Sequence, residues 1–480
     1  MAGTYARQTE TVILGGGPGG YIAGIRLGQL GRKAVVLERK DLGGECLNRG
    51  CIPSKALIHS GALYHQVLTQ GSELGLVTGG VQFDLAKAQA AKRAVVEKER
   101  QGVQTLVKAA GTQVLFGEAR FTGPKSVELA AHDGGRERID FQNAIIATGS
   151  VPSVIPGFEP DGERVLTAWQ ILDLETPPES LLVLGGGVSG CELGEFLAHL
   201  GVKVTILELL PQLLPGLDPD LSRELTGALE KLGVTVRTGT KATKLERSAK
   251  GVQLTANGAN GTEWFTAEKL FLTVGKRPAT AELGLEEAGV TVDPRTGAIT
   301  VNDRQQTNVP HIYAVGDVGR PPMLAHKAYR EGIVAAEVIA GRPTRYQFQV
   351  VPSVVFTSPE LASTGLTLAE AKAQGHNARE VRFPYAALGR AHAYHATGGW
   401  LKVVGDDATG LLLGVHAAGE SCGEFAAEAA LAIELGAMVR DVALTIHPHP
   451  TFSEMVQEAA LLWLNEPMHV SMRREHARVG

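Results

Sequence analysis

The sequence predicts an α/β fold with two Rossmann-like dinucleotide-binding domains and a C-terminal α+β domain. A glycine-rich loop between an apolar strand and a helix occurs twice, about 170 residues apart. The region after residue 351 instead mixes strand-like runs with helical stretches. Repeated βαβ units build parallel sheets, whereas the later mixture fits an antiparallel α+β domain. A chain of 480 residues has room for about two to four domains.

The first βαβ unit is predicted within the first 40 residues: a strand at 11–14, a helix through Leu30 and a strand at 34–38. Three glycines with the spacing G-x-G-x-x-G join the first strand to the helix: Gly15, Gly17 and Gly20. They permit a tight turn, approach of the backbone to a pyrophosphate, and close helix packing. Glu38 ends the second strand, where it can accept a hydrogen bond from a ribose hydroxyl. This context predicts a nucleotide site rather than an ordinary strand–helix turn.

The second βαβ unit has strands at 181–184 and 202–208. Its loop repeats the glycine spacing: Gly185, Gly187 and Gly190. Glu208 is the acid of this unit, and a carboxylate there accepts from a free ribose 2′-hydroxyl but repels a 2′-phosphate. The following segment, 209–214, contains no arginine that could hold such a phosphate. The second loop therefore predicts NAD rather than NADP.

The C-terminal region contains both predicted strands and predicted helices. Strand-like runs at 400–404 and 411–415 accompany helical stretches at 424–435 and 454–464. This pattern predicts an α+β domain with an antiparallel sheet.

Composition and charge exclude several classes of function. The net charge of −5 gives no reason to expect nucleic acid or an anionic membrane as partner. Apolar residues make up 44% and charged residues 20%, which is the balance of a globular enzyme. No signal core precedes the first strand and no apolar run is long enough to span a membrane, so we expect a cytoplasmic protein. A few arginines near the end are expected to form a solvated tail: Arg473, Arg474 and Arg478.

Two of the four cysteines, Cys46 and Cys51, form a close pair with Gly50 between them, which lets the two sulfurs approach. Four cysteines are too few for a secreted disulfide framework, and no further ligands stand at zinc spacing, so we expect redox chemistry and no metal. Pro53 and Ser54 predict a helix that begins near Cys51, and a helix N-terminus stabilises a thiolate. The alternative is a pair of buried apolar cysteines. The neighbouring Gly, Asn, Arg, Pro and Lys are not typical of an apolar core.

The segment 447–454, His-Pro-His-Pro-Thr-Phe-Ser-Glu, is a candidate acid–base site. A histidine can take a proton from a thiol and return it near neutral pH. Glu454, at a predicted helix start, could hold the other ring nitrogen. Without context, a histidine between prolines is more often a rigid turn residue. Two dinucleotide loops together with a redox cysteine pair further suggest that one nucleotide is a flavin.

The segment 43–55 resembles the active-site signature of the class I pyridine nucleotide–disulfide oxidoreductases, and the chain is similar to that family from end to end. The resemblance implies that Cys46 exchanges with the substrate and that Cys51 forms a charge-transfer contact with the flavin of FAD. It implies that Lys55 lies by the flavin and pairs with Glu192.

The resemblance also selects His449, the second histidine, with Glu454 as the acid–base that reaches the cysteine site of the other subunit. It thus implies an obligate homodimer and makes the C-terminal domain a dimerisation domain. His447 is the weaker candidate. The motif 307–317 resembles the second flavin motif, although Asp317 alone could be a turn aspartate. The resemblance assigns further nucleotide contacts to these residues: Ala119, Thr148, Gly149, Gly275, Asp317 and Ala325.

The chain is then expected to have four segments: 1–150 (FAD-binding, first part), 151–275 (NAD-binding), 276–350 (FAD-binding and central, second part) and 351–480 (interface). Linkers are predicted at 150–153 and near 342–345. Glu45 and Arg49 depart from the family pattern, which more often has small or apolar residues there. Cys191 and Cys422 have no partner in the pattern and are expected to pack in the interior.

The resemblance also narrows the activity. Glutathione-type reductases need arginines that the second loop lacks, and mercuric reductases carry a C-terminal cysteine pair that 472–480 lacks. Transhydrogenases and coenzyme A disulfide reductases of this fold lack the cysteine pair. There remains the oxidation of protein-bound dihydrolipoamide by NAD, on the lipoyl-bearing acyltransferase of a 2-oxoacid dehydrogenase complex or on a glycine-cleavage carrier protein. Another disulfide reductase of the family, or a non-catalytic dinucleotide-bound scaffold or redox sensor, stays an alternative.

Overall fold

The computed structural model describes residues 5–471 of the chain. The predicted solvated tail at 472–480 lies outside the described residues. The chain divides into two compact units, each built from three stretches of sequence. The first comprises residues up to 60, 82–176 and 272–347; the second comprises 61–81, 177–271 and the residues from 348 onward.

The strands are, in chain order, β1 (Tyr5–Leu14), β2 (Ala34–Glu38), β3 (Gln113–Gly123), β4 (Ser126–Ala131), β5 (Arg136–Ile146), β6 (Ser150–Pro152), β7 (Val165–Leu166), β8 (Ser180–Leu184), β9 (Lys203–Leu207), β10 (Thr235–Arg237), β11 (Lys241–Ser248), β12 (Gly251–Gly258), β13 (Gly261–Ala267), β14 (Lys269–Leu272), β15 (Lys276–Pro278), β16 (Ile312–Ala314), β17 (Ser353–Val355), β18 (Leu361–Gly365), β19 (Ala378–Pro384), β20 (Trp400–Asp406) and β21 (Leu412–Ala418).

The α-helices are α1 (Pro18–Gln29), α2 (Gly44–Arg49), α3 (Cys51–Gln70), α4 (Leu85–Ala109), α5 (Ala168–Ile171), α6 (Val188–His199), α7 (Pro219–Lys231), α8 (Ala325–Ile339), α9 (Leu368–Ala373), α10 (Gly389–Ala393), α11 (Ala426–Glu434), α12 (Val439–Leu444) and α13 (Glu454–Trp463). Two short 3-10 helices are Gly316–Val318 and Tyr385–Ala387. Within residues 5–471, no helix has both the length and the apolar character needed to cross a membrane.

The main sheet of the first unit has a parallel core in the order β3–β2–β1–β5–β16, and β4 pairs antiparallel with both β3 and β5. Leu14 of β1 pairs with Ile146 of β5, which also pairs with Ala314 of β16. Three strands that are far apart in sequence therefore end at one edge of the sheet. In parallel α/β sheets this carboxyl edge is where ligands bind.

The two faces of this sheet are covered by separate apolar cores. Along β1, Val12 and Leu14 belong to the core on one face, while Ile13 belongs to the core on the other. This alternation follows from the two-residue period of a strand. Leu27 of α1 and Val107 of α4 cover the Ile13 face together with residues of α8. The other face is covered by residues of β3, β4 and the segment 283–301.

The second unit contains a sheet with the order β10–β9–β8–β14, in which β8, β9 and β10 run parallel. It also contains an antiparallel meander β11–β12–β13 and an antiparallel sheet β17–β18–β21–β20–β19. Helices α11, α12 and α13 contribute to the apolar core of the last sheet, with Met455 and Trp463 among its buried residues.

The predicted architecture is confirmed: both βαβ units form, and the C-terminal sheet is antiparallel. The sequence predicted the start of α3 near Cys51 but not its length, and the long helix α4 and the meander β11–β13 were not among the predicted elements. The predicted linker at 150–153 contains β6, which pairs antiparallel with β15. Both strands of this two-stranded ribbon belong to the first unit, which the chain leaves after residue 176 and enters again at residue 272.

Two glycines in neighbouring helices predict opposite responses to the same substitution. A Cβ on Gly28 in α1 would lie 1.9 Å from the carbonyl oxygen of Ala110, whereas a Cβ on Gly102 in α4 would meet nothing within 4 Å. We expect Gly28→Ala to lower the free energy of unfolding by about 1–3 kcal/mol through overpacking. We expect Gly102→Ala to raise it by about 0.5–1 kcal/mol through helix propensity. Urea unfolding midpoints measure both, and shifts of the same sign would contradict this packing.

Candidate redox site

The first glycine loop, at the carboxyl edge of the main sheet, needs glycine for steric reasons. Gly15 has φ +99° and donates its N–H to the carbonyl of Leu37 at 2.8 Å. A Cβ on Gly20 would lie 1.9 Å from the carbonyl oxygen of Gly15, so α1 packs directly on the turn. A Cβ on Gly17 would instead meet only the Cα of Gly44, at 3.7 Å. The loop is thus closed at its first and third glycines and open at the second, as pyrophosphate binding requires.

Glu38 holds this loop through its carboxylate. One oxygen accepts the N–H of Gly16 at 2.7 Å and the other accepts the N–H of Lys40 at 2.8 Å. A carboxylate has about four lone-pair sites, so it can still accept from a ribose hydroxyl.

The cysteine segment is attached directly to the glycine loop. The N–H of Gly43 donates to the carbonyl of Gly16 at 2.8 Å. Gly43 and Gly44 have φ +97° and +61°, and a Cβ on Gly44 would lie 2.6 Å from the Cα of Gly17. Only glycine permits this backbone conformation and this approach. The redox helix α2 therefore begins against the predicted cofactor loop.

A break between α2 and α3 brings the two cysteines together. Cys46 lies in α2, Gly50 follows that helix, and Cys51 is the first residue of α3, as predicted. A Cβ on Gly50 would come within 3.1 Å of the carbonyl oxygen of Glu45 and 3.4 Å of the Cα of Cys46. Both cysteines are free thiols in this structure.

The two sulfurs have different protonation preferences. The Cys46 thiol hydrogen-bonds to the Cys51 sulfur, and mainly for this reason the pKa of Cys51 is lowered to about 7. Burial opposes this lowering, while the Lys55 ammonium, the backbone N–H of Cys51 and the Lys276 ammonium add to it. The same hydrogen bond raises the pKa of Cys46 far above its ordinary range. Near neutral pH the pair can therefore consist of a Cys46 thiol and a Cys51 thiolate.

The predicted flavin contacts from β5 and β16 lie at the same edge as the glycine loop. Thr148, just after β5, donates its hydroxyl to the carbonyl of Ala279 at 2.8 Å, and Gly149 has φ +73°. Asp317, just after β16, accepts the hydroxyl hydrogen of Ser150 at 2.7 Å.

The other predicted nucleotide contacts lie at a helix start, between two strands and within β3. Ala325 is the first residue of α8, and Gly275 has φ +102° between β14 and β15. Ala119 is half-buried in β3, three residues beyond Phe116, the partner of Glu38.

The second glycine loop, in the second unit, repeats the design of the first. Gly185 has φ +113° and donates its N–H to the carbonyl of Leu207 at 2.9 Å, and a Cβ on Gly187 would meet nothing within 4 Å. Gly190 is buried in α6. The carboxylate of Glu208 accepts the N–H of Gly186 at 2.6 Å and that of Leu210 at 2.7 Å.

Glu192 is buried in α6 of the same unit. Its carboxylate accepts the backbone N–H of Phe356 at 2.9 Å. Cys191 and Cys422 are fully buried, as packing predicts.

The two candidate acid–base histidines, His447 and His449, differ in exposure and in hydrogen-bond partners. His449 is 75% exposed, and its Nδ1 lies 2.8 Å from Oε1 of Glu454, the first residue of α13. The second oxygen of Glu454 accepts the N–H of Thr451 at 2.8 Å. The His447 ring is buried, with one nitrogen 2.7 Å from Glu428 and the other 2.9 Å from the carbonyl of Thr445. Of these two histidines, His449 is therefore the one with a ring nitrogen open to an external group.

Sequence reasoning missed two residues beside the cysteines, Lys276 and Trp169. Both contact Glu45: Lys276 forms an ion pair with its carboxylate, and Trp169 Nε1 donates to it at 3.0 Å. Glu45 was noted as a departure from the family pattern, but its partners are more than a hundred residues away, and no local spacing links them.

The chain belongs to the pyridine nucleotide–disulphide oxidoreductase family. The family model matches residues 9–332, and the model of the family's dimerisation domain matches residues 351–460. The resemblance recognised in the sequence is thereby confirmed.

Relatives with an assigned activity match nearly the whole chain. The dihydrolipoyl dehydrogenase of Thermus scotoductus is 45% identical over 97% of this chain and 99% of its own length. That of Geobacillus stearothermophilus is 42% identical over 98% and 99%. Among solved structures, LpdA from Mycobacterium tuberculosis has a TM-score of 0.88 at 28% identity, covering 95% of this chain and 99% of that one. The flavoprotein disulfide reductase RclA from Escherichia coli has a TM-score of 0.83 at 27% identity, covering 94% and 99%.

The hydrogen bond between the cysteines predicts how the reduced protein titrates. In the wild type, half of Cys51 is expected to be thiolate near pH 7. Cys46→Ala removes the donor, so we expect the thiolate to form only about one pH unit or more higher. The pH dependence of the ultraviolet absorbance of the thiolate measures this shift, with Cys422→Ala as the control for a buried cysteine outside the pair. An unchanged midpoint in Cys46→Ala would mean that the hydrogen bond does not set the thiolate.

Proposed function

We propose that this chain catalyses the dihydrolipoyl dehydrogenase reaction: the oxidation of protein-bound dihydrolipoamide to lipoamide, with reduction of NAD. The observation that carries the proposal is the unequal cysteine pair, with a Cys46 thiol hydrogen-bonded to Cys51, set directly against a dinucleotide loop. The relatives that match nearly the whole chain support the same activity.

The residues of the first unit fit FAD. The open position at Gly17, the free lone pairs of Glu38 and the convergence of Thr148 and Asp317 at one edge are the features that a flavin dinucleotide needs. FAD, when bound, supplies the two-electron chemistry that links a dithiol to NAD. We assign segments 1–150 and 276–350 of the chain to its binding.

The residues of the second loop fit NAD. Gly187 leaves room for a pyrophosphate, and Glu208 offers a carboxylate to a ribose 2′-hydroxyl. We assign segment 151–275 to NAD and segment 351–480 to the subunit interface. Lys55 and Glu192 are assigned to an ion pair beside the flavin on the strength of the family resemblance.

The chemistry of this chain's own residues begins from a Cys46–Cys51 disulfide. A thiolate of dihydrolipoamide attacks the sulfur of Cys46, a mixed disulfide forms, and Cys51 leaves as a thiolate. The second thiol of the substrate then gives its proton to His449, and its sulfur attacks the first substrate sulfur in the mixed disulfide. The bond to Cys46 breaks, and Cys46 leaves as a thiolate. Lipoamide leaves, and Cys46 takes the proton back from His449. The two electrons of the substrate now reside on the cysteine pair, and the overall reaction converts dithiol and NAD⁺ into disulfide, NADH and a proton.

Glu454 supports this proton transfer. Its carboxylate holds Nδ1 of His449, which leaves Nε2 for the thiol and stabilises the imidazolium. In the family, this histidine serves the cysteines of the other subunit, and the dimerisation domain supports a homodimer. The proposed partner is a lipoyl-bearing acyltransferase of a 2-oxoacid dehydrogenase complex or a glycine-cleavage carrier protein. A location in the cytoplasm stays a prediction from the sequence.

The acid–base assignment has a matched control in α13. His469 is also exposed and also pairs with a glutamate of that helix, Glu458, at 2.8 Å, but it lies outside the motif. We expect His449→Gln to lower the kcat for dihydrolipoamide oxidation by about 10²–10⁴-fold, because proton transfer is lost. His469→Gln should retain the wild-type rate. Equal rates for His449→Gln, Cys46→Ser and the wild type would support a non-catalytic scaffold or sensor instead.

The two acids of the glycine loops predict which nucleotide each loop selects. Glu208→Gln removes the carboxylate that accepts a hydrogen bond from a ribose 2′-hydroxyl and whose negative charge repels a 2′-phosphate. We expect the ratio of kcat/KM for NAD to that for NADP to fall by about tenfold or more. Glu38→Gln, the same change in the first loop, should leave this ratio unchanged while weakening FAD retention. A change of the ratio in Glu38→Gln alone would reverse the assignment of the loops.

A further inference from the structure

Four charged or aromatic side chains of the first unit form a connected cluster beside the cysteines, which we call the Glu45 cluster: Glu45, Arg49, Trp169 and Lys276. Glu45 forms an ion pair with Lys276 and accepts the Nε1 hydrogen of Trp169 at 3.0 Å. The guanidinium carbon of Arg49 lies 4.7 Å from the centre of a Trp169 ring. Glu45 directly precedes Cys46 in α2, so the cluster is attached to the redox helix.

Lys276 has a fixed backbone and a flexible side chain. Its Cα pairs with Pro152 in the ribbon of β6 and β15. The side chain beyond is four carbons long and 34% exposed, so the ammonium could otherwise extend into water. The carboxylate of Glu45, which is 23% exposed, is the group that the ammonium contacts. An ion pair this exposed contributes little to stability, so its position near the thiols is the feature to explain.

Five titratable groups act on Cys51 or on its partner. The Cys46 thiol has the largest effect on the pKa of Cys51, and Lys55 and Lys276 are the cations that lower it. Tyr21 of α1 interacts electrostatically with Cys46, and Tyr329 of α8 interacts with both cysteines. Burial raises the pKa of each tyrosine, so both stay neutral hydroxyls in the working range. Lys276 is thus a second cation that favours the charged form of Cys51.

We infer that Glu45 is a positioning residue that holds the Lys276 ammonium beside the cysteine pair, so that Lys276 acts together with Lys55 to stabilise the Cys51 thiolate. The inference rests on the proposed function, in which Cys51 leaves as a thiolate when the disulfide opens. The physical reason is the distance dependence of the Coulomb energy and its screening by water and salt: a lysine ammonium held beside the cysteine pair acts on the Cys51 sulfur more strongly than one that moves freely in water. Trp169 also holds the Glu45 carboxylate by its Nε1 hydrogen bond, and Arg49 packs on the Trp169 ring.

The test measures the pH at which the Cys51 thiolate forms in the two-electron-reduced holoenzyme, from its long-wavelength thiolate–flavin absorbance. Lys276→Met is expected to raise this midpoint by about 0.5–1 pH unit, because a nearby positive charge is removed. Lys276→Gln gives a second neutral variant if the first does not fold, and Lys276→Arg should restore the wild-type midpoint. Arg277→Met removes a neighbouring charge on the same strand and should leave the midpoint unchanged. A Lys276→Met midpoint equal to that of the wild type overturns the inference.

A double-mutant cycle tests the role of Glu45. In a Glu45→Gln background, Lys276→Met should shift the midpoint by less than half as much as in the wild type, because the ammonium is no longer held in place. Equal shifts in the two backgrounds overturn the role of Glu45.

The pH profile of Cys51 alkylation by iodoacetamide, read by mass spectrometry, repeats the cycle without using flavin absorbance. Absence of the long-wavelength band in the wild type would count against the proposed function. The alkylation profile would still decide between the two outcomes for Glu45 and Lys276.

Discussion

The close approach of two backbone segments, at Gly17 and Gly44, is the constraint on which the redox site depends. A single Cβ on Gly44 would lie 2.6 Å from the Cα of Gly17, so any side chain there would push the cysteine helix away from the glycine loop. The hydrogen bond from Gly43 to Gly16 joins the same two segments. The reactive sulfurs and the loop that we assign to FAD therefore move as one rigid part. Such rigidity keeps a catalytic group at a fixed distance from its cofactor.

The two cysteines of the pair differ in their protonation. One sulfur keeps its proton and donates it in a hydrogen bond, and the other is stabilised as a thiolate. Two residues of the same type thereby acquire different tasks from their surroundings alone. In the two dinucleotide loops, a single residue likewise has two tasks. In each, one acid, Glu38 or Glu208, both closes its own loop through backbone N–H groups and keeps lone pairs for a ribose.

Parallel strands explain how distant motifs reach one place. Leu14, Ile146 and Ala314 stand level with each other in adjacent strands, so the residues that follow them emerge at one edge. The ribbon of β6 and β15 then brings Lys276 back to the first unit. The same geometry gives Glu45 partners that lie outside the motifs recognised in this sequence, Lys276 and Trp169.

The sequence by itself determined the features that depend on short spacing. The two βαβ units, the start of α3 at Cys51 and the pairing of His449 with Glu454 follow from the periods of strands and helices and from separations of a few residues. Only the tertiary structure decided which distant side chains meet, as Glu45 does with Lys276, and which histidine keeps a free ring nitrogen. The reason is physical: local patterns encode the backbone, whereas contacts across more than a hundred residues depend on how the sheets and helices pack.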